Sequence, residues 1–408
     1  MIAIDKENKD DIKKQSYKKY IATKEAIKKC HENGTQKIDT PKELCIDIIS
    51  KISEYTNLEN KKICVLFNWE FVHELINKFN VNEKNITFIC DNDDKNEYVS
   101  GIYNVENIHK LIINKKEIKM KPSIKKQFDI IVMNPPYQPP VKKKDNSGGS
   151  SSRGLSIWPK FVQLAIDLVS ANGFVAAVHP NKWRKPQDKM FSIMTNQNIL
   201  YLEMHSKQDG IKTFGASTPY DWYVMQKKQY HGVTEIKDAD SNKQTINLKD
   251  FDFLPSCNLK TVEKLLAKPS EEKCTILHSY FLIDIRKPWI SRYKTNEFIY
   301  PCVHMTGKAG VSYWYSSKKV EFLGIPKIVF GDSDIISNAV IDFKGEYGTT
   351  SHAMAIPISS QEEGEQIKKA IESKAFNDLL QKSLRWSQFQ IDWRMFRYFR
   401  KDFWKEFI

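Results

Sequence analysis

The run Phe128-Asp129-Ile130-Ile131-Val132-Met133, followed at once by Asn134-Pro135-Pro136-Tyr137, constrains the fold more than any other stretch of this chain. The six residues are β-rich and mostly apolar, the pattern of a strand buried on both faces of a parallel sheet. Two consecutive prolines cannot continue such a strand, because each lacks the N–H that a ladder needs. A central strand that ends at Asn134 is therefore expected. Residues 61–67 and 85–90 read as two further buried strands around a helix-like stretch over 71–79, which makes a βαβ unit. Helical spacing over 158–169 and a buried run over 173–178 carry the alternation on to residue 228. Ligands of open α/β sheets sit just beyond the carboxyl ends of the strands, so the tetrapeptide falls where chemistry is expected.

Around this centre the chain divides by composition. Residues 5–29 hold nine lysines against five acids and read as a solvated helical arm, so 1–37 is expected to stand apart. Thr40, Pro41 and Glu43 have the types and spacing of a helix cap, a first-turn proline and a capping box, ahead of an apolar face of Leu44, Cys45, Ile48, Ile49 and Ile52. Residues 139–153 combine proline, Lys142, Lys143, Lys144, glycines and serines, a loop composition. After residue 255 the alternation fades into an aromatic-rich stretch. The expected domains are thus an arm (1–37), an α/β domain (38–255) and a C-terminal α+β domain (256–408).

Sixty-three Lys+Arg against fifty Asp+Glu give a net charge of +13, which favours a polyanionic partner. The seven cysteines form no C-x-x-C pair and no zinc-type spacing with histidine, so reduced thiols and no metal are expected. The first residues are too charged for a signal peptide, and no apolar run approaches the ~18 residues of a membrane helix. A cytoplasmic protein without a membrane partner is the expectation.

The tetrapeptide suits one kind of chemistry. An amino group on a heteroaromatic ring, or an amide nitrogen, is a poor nucleophile because its lone pair is delocalised. The Asn134 side-chain oxygen and the Pro135 carbonyl, projecting from a rigid turn, are suited to accept both N–H hydrogens and localise that pair. Pro135 and Pro136 stiffen the turn without adding donors. Tyr137 is placed to stack on the ring.

These residues resemble the S-adenosylmethionine-dependent amino-methyltransferases, most closely the N6-adenine DNA methyltransferases of restriction–modification type, over residues 38–228. The resemblance implies a Rossmann-like class I methyltransferase domain with a mostly parallel sheet, followed by a target-recognition domain in the gamma order. It implies S-adenosylmethionine as cofactor, held by Thr40, Pro41, Phe67, Asn68, Asp91 and Asn134. It implies transfer to the N6 atom of an adenine flipped out of duplex DNA, with Tyr137 and Phe214 against the base. Lys142, Lys143, Lys144, Arg184, Arg394 and Arg397 are the expected DNA contacts; for the last two, packing of an amphipathic helix over 385–407 is an equal expectation. A separate restriction endonuclease or partner subunit is compatible with the resemblance.

The chain departs from the family's pattern at one place. Where the first strand normally ends in Asp-Pro and a glycine-rich turn, residues 65–71 read Val-Leu-Phe-Asn-Trp-Glu-Phe, with no glycine. That departure keeps a second reading open, a DNA-binding pseudo-methyltransferase or partner subunit. A third reading changes the acceptor to RNA or a protein glutamine.

Overall fold

A computed structural model describes residues 38–113, 117–119, 124, 128–139, 156–279, 282–386 and 390–408. The expected arm and Lys142, Lys143 and Lys144 lie outside the described residues. What is described falls into two compact units. One takes the described residues up to 180 together with 194–237 and 243–246, and the other takes 181–193, 238–242 and the described residues from 247 on. Among the described residues no helix is long and apolar enough to cross a membrane, and no group of His, Cys, Asp and Glu could hold a metal ion.

The first unit is built on a nine-stranded sheet. Its strands are β1 (Ile63–Leu66), β2 (Ile86–Cys90), β3 (Asn107–Lys110), β4 (Phe128–Met133), β5 (Val169–Pro180), β6 (Gln197–Met204), β7 (Tyr220–Gln229), β8 (Thr234–Lys237) and β9 (Lys243–Ile246). They lie in the order β9-β8-β6-β7-β5-β4-β1-β2-β3. From β3 through β5 neighbours are parallel, and β7 runs antiparallel to both β5 and β6. Helices α1 (Lys42–Ser53), α2 (Trp69–Asn77), α3 (Asp93–Tyr103), α4 (Trp158–Leu168) and α5 (Lys207–Phe214) connect or flank these strands. The chain runs outward from β1 to β3 and then returns to the other side of β1 as β4. The sheet is doubly wound about that point, the Rossmann-like class I methyltransferase arrangement, and the switch between β1 and β4 is where sheets of this kind place their ligands, beyond the carboxyl ends of the strands.

The sequence explains the inner strands directly. All four side chains of β1 are fully buried, as are Ile131, Val132 and Met133 of β4, which agrees with the unbroken apolar runs. Asp129, the one polar residue of β4, accepts the Lys62 backbone N–H at 2.9 Å through its carboxylate. Paired register sets Leu66 opposite Met133 and Ile89, so β1 and β4 end level and β2 runs one residue further.

The second unit is α+β. A four-stranded sheet holds β10 (Ile290–Ser291), β11 (Tyr300–Gly307), β12 (Gly310–Ser316) and β15 (Gly348–Thr349), and a three-stranded sheet has β13 (Lys327–Gly331) between β14 (Val340–Asp342) and β16 (Ala353–Pro357). Its main core gathers Phe330, Phe376, Phe396, Phe399 and Phe403. The tail over 385–407 is not one amphipathic helix: its described part forms two short 3-10 segments, Trp393–Tyr398 and Phe403–Phe407. Aromatic residues at 393, 396 and 399 recur every third position, and a three-residue turn puts them on one side.

This unit takes in residues earlier than 255 for an identifiable reason. Arg184, expected at a DNA surface, is fully buried and donates to the Leu254 carbonyl at 3.1 Å and the Ser256 hydroxyl at 3.2 Å. It fastens residues 181–193 to 247–256 and is not available to phosphates.

Lys327 and Asp342 form an ion pair with no solvent access, Nζ to Oδ2 at 2.6 Å. Nζ also donates to the carbonyls of Phe322 and Ile325, and the carboxylate accepts the backbone N–H groups of Glu346 and Tyr347. Every charge is satisfied, so removing one partner strands the other in a dry interior. Lys327→Ala should destabilise the second unit by about 3–5 kcal/mol in urea unfolding, whereas a loss under 1 kcal/mol would mean that water reaches the pair.

Candidate active site

Three residues from three segments converge beyond the ends of β1 and β4. Asn134 is the first residue past β4, Asn68 lies two positions past β1, and Thr40 precedes α1. The Asn134 backbone N–H donates to Asn68 Oδ1 at 2.8 Å. Asn68 Nδ2 donates to Thr40 Oγ1 at 3.0 Å, and Asn134 Nδ2 donates to the same oxygen at 3.2 Å. All three side chains are buried. One hydroxyl oxygen thus uses its acceptor capacity on two amides, and that fixes the roll of both.

This differs from the helix-cap role that the sequence suggests for Thr40. The N-cap of α1 is Pro41, no side chain caps it, and the Thr40 hydroxyl is committed to the two asparagines. With Nδ2 of Asn134 turned toward Thr40, its Oδ1 lies on the opposite edge of the amide plane. Pro135 and Pro136 are buried behind it, and Tyr137 is half-buried.

Phe67 holds the turn that links β1 to this cluster. Its φ of 72° is left-handed, a conformation that ordinarily selects glycine. The side chain is fully buried and packs edge-on against Phe161 of α4, with ring centroids 4.9 Å apart. Its N–H donates to the Ile89 carbonyl at 2.9 Å. The backbone therefore takes a glycine-like course without a glycine, and packing of the ring offsets a strain of about 1–3 kcal/mol.

Acidic groups stand close by. Glu70, in the first turn of α2, is buried beside Asp39, and Asn96 Oδ1 of α3 is a buried acceptor without a hydrogen-bond partner among the described residues. Burial pushes the Glu70 carboxyl well above its usual range, the neighbouring Asp39 adds to this, and Lys95 opposes it. Asp91 is the first residue past β2, and its carboxylate accepts from the Cys90 thiol at 3.7 Å.

An aromatic group completes the site. Burial raises the Tyr137 hydroxyl above its ordinary value, and the nearby Tyr220 and Asp221 reinforce the shift. Tyr220 of β7 stacks on His205 at 4.2 Å and meets Phe214 edge-on at 4.9 Å. Tyr220 therefore packs on Phe214, one of the two residues expected against the base, and acts electrostatically on the other, Tyr137. Sequence reasoning missed Tyr220 and His205, because nothing in strand periodicity says which neighbouring strand a residue will face. Phe214 reaches this place because Gly210 lets the following loop close on α5: a Cβ there would lie 2.1 Å from the Thr218 carbonyl oxygen. His179 is a packing residue, buried in a stack on Trp158 at 4.0 Å.

The model of the family described as Eco57I restriction-modification methylase matches residues 5–208, which include all three members of the Thr40–Asn68–Asn134 cluster. The chain belongs to this family. A comparison with curated proteins finds no match. Among solved structures, the chain is similar to a modification subunit of a putative type I restriction enzyme from Vibrio vulnificus, at 12% identity and a TM-score of 0.38 over 56% of this chain and 52% of that one. It is also similar to the type IIG restriction endonuclease BpuSI, at 11% identity and 0.41 over 84% and 55%. The type IIL restriction-modification enzyme MmeI, solved in complex with DNA, gives 10% identity and 0.40 over 86% and 64%. The chain spans 52–64% of the length of these three structures, and likenesses at such TM-scores carry no functional weight.

For a restriction-modification methylase the cofactor to test is S-adenosylmethionine, a cation with ribose hydroxyls. The donor set fits it. The buried, unpartnered Asn96 Oδ1 suits a hydroxyl or ammonium donor, and the Asp91 carboxylate stands at the tip of β2.

Thr40→Val should leave two buried amide donors without an acceptor and cost about 1–3 kcal/mol in denaturant unfolding, while Thr40→Ser should restore stability; equal stability of the valine variant would remove Thr40 from its organising place. Glu203 of β6 gives a pH test. Burial alone would raise it, but hydrogen bonds from His205, Lys237 and Tyr201 outweigh that and bring it down from 4.5 to about 2. Its stabilisation is therefore complete above its ordinary value and lost as pH falls toward 2. Glu203→Gln should flatten the acid limb of the melting temperature in that window, and an unchanged limb would contradict the assignment.

Proposed function

We propose that this chain is a DNA methyltransferase that transfers a methyl group from S-adenosylmethionine to the N6 atom of an adenine extruded from duplex DNA. The observation that carries the proposal is the tether of Asn134 Nδ2 to Thr40, which presents Oδ1 as the acceptor edge at the end of a central strand. Family membership gives the modification chemistry its class.

In this reading Asn134 Oδ1 and the Pro135 carbonyl accept the two N6 hydrogens, which turns the nitrogen lone pair away from the ring. Tyr137 stacks on the purine, and Phe214, backed by Tyr220, closes its other side. Extrusion costs on the order of a few kcal/mol, which stacking in the pocket offsets. Asp91 and Asn96 would hold the cofactor, which supplies an electrophilic methyl carbon when bound. No separate base is required, because the amine becomes acidic as it is methylated. The second unit reads the flanking sequence, and a restriction endonuclease or partner subunit would act on the same sites.

Asn134→Ala should abolish labelled methyl transfer to duplex oligonucleotides while leaving DNA affinity within a few-fold. Full transfer by that variant, or undiminished labelling of duplexes whose adenines are blocked at N6, would overturn the proposal. The glycine-free turn at Phe67 favours a second reading, a DNA-binding partner subunit with little affinity for cofactor. Calorimetry with S-adenosylmethionine, with and without DNA, separates the two, since heat in neither condition would favour the subunit.

A further inference from the structure

Of the two expected DNA contacts in the C-terminal tail, Arg394 has its charge engaged by a carboxylate, as do the neighbouring Arg385 and Arg400, and Arg397 is half-buried. Arg394 donates to the Asp392 carboxylate through Nε at 2.7 Å and also through Nη2. Arg385 pairs with Asp334 at 2.7 Å, and Arg400 pairs with both Asp402 and Glu406. Arg397 lies over the Trp393 ring at 4.7 Å. A phosphate arriving at Arg394, Arg385 or Arg400 would have to displace a carboxylate, and that cancels most of its electrostatic gain.

Another part of the second unit has the opposite character. Residues 285–320 hold seven basic residues against Glu297 alone, a surplus of six out of the chain's +13. They include β10, β11 and β12, where Trp289 and Trp314 lie half-buried over a small core of Ile283, Ile290, Cys302 and Val320. Lys318 Nζ stands 4.3 Å and Lys287 Nζ 5.5 Å from the Trp289 ring centroid, and the Arg292 guanidinium stands 5.6 Å from that of Trp314. Lys287, Arg292 and Lys318 are exposed and enter no ion pair among the described residues. A cation resting on an indole is held in place by the ring quadrupole without being neutralised, and its outward N–H groups remain donors. Three such cations on one sheet unit form a fixed array, whereas solvated lysines must be ordered at an entropic cost when they bind.

We propose that Lys287, Arg292 and Lys318, set on Trp289 and Trp314, are the phosphate-gripping surface through which the second unit holds duplex DNA. The proposal rests on DNA being the substrate, as argued above, and puts these three ahead of Arg394, whose charge Asp392 engages, as phosphate contacts. Phosphate contacts of this kind supply affinity and register and leave sequence readout to other side chains.

The test is the salt dependence of binding to duplex oligonucleotides by the full chain. Each phosphate contact adds about −0.9 to the slope of log affinity against log salt. Lys287→Gln, Arg292→Gln and Lys318→Gln should each make the slope shallower by about 0.9, and the triple variant by about 2.7. Arg394→Gln should leave it unchanged. Thermal melts matched to the unsubstituted protein show that the variants are folded, and the single substitutions keep the test valid if the triple one is not. If the unsubstituted chain methylates DNA and the single variants keep its slope, the surface is wrong and the activity stands. If it neither binds nor methylates DNA, the surface and the proposed function fall together.

Discussion

One oxygen atom organises the crevice. Thr40 Oγ1 accepts from the amides of Asn68 and Asn134, and Asn68 in turn accepts from the Asn134 backbone. The three residues come from segments about 30 and 65 positions apart. They meet because doubly wound topology brings the ends of β1 and β4 side by side while α1 delivers Thr40. Backbone tethering places Asn134, and side-chain tethering orients it. Buried polar networks of this kind are stable only when every donor finds its acceptor, so the geometry is all-or-none.

Much of this was legible in the sequence. The unbroken apolar runs gave β1, β2 and β4, and the prolines after Met133 marked where the last of them had to stop. Thr40, Asn68 and Asn134 all stood among the expected site residues. What sequence alone could not supply was the partner of each group. Thr40 has every local mark of a helix cap, and only the arrival of two amides from distant segments redirects its hydroxyl. Arg184 stands next to a tryptophan in a lysine-rich stretch, yet it is buried under Leu254 and Ser256, more than 70 positions away at the latter. Arg394 is engaged by a carboxylate that a turn as tight as Asp392 to Arg394 sets, which strand and helix periodicity does not reveal.

The turn at Phe67 shows how a backbone course can outlast the residue type that usually permits it. A left-handed φ in a phenylalanine is tolerable only because the ring is enclosed and meets Phe161. The cost of an unfavourable dihedral has moved into the hydrophobic core, where burial of an aromatic side chain is worth several times as much. Glycine there would relieve the backbone and leave a cavity.

A last consequence follows from the way the tetrapeptide is closed off. The Tyr137 carbonyl accepts from the Ile157 backbone N–H at 3.1 Å and from the Ser156 hydroxyl at 3.3 Å. The chain thus leaves the site and re-enters at nearly the same point. Two hydrogen bonds bind the last residue of the tetrapeptide to the start of α4, so the turn is held from behind as well as through Thr40. A change that weakens the contact at Tyr137 would therefore loosen the whole turn from its far end, leaving Asn134 tied only at its near one.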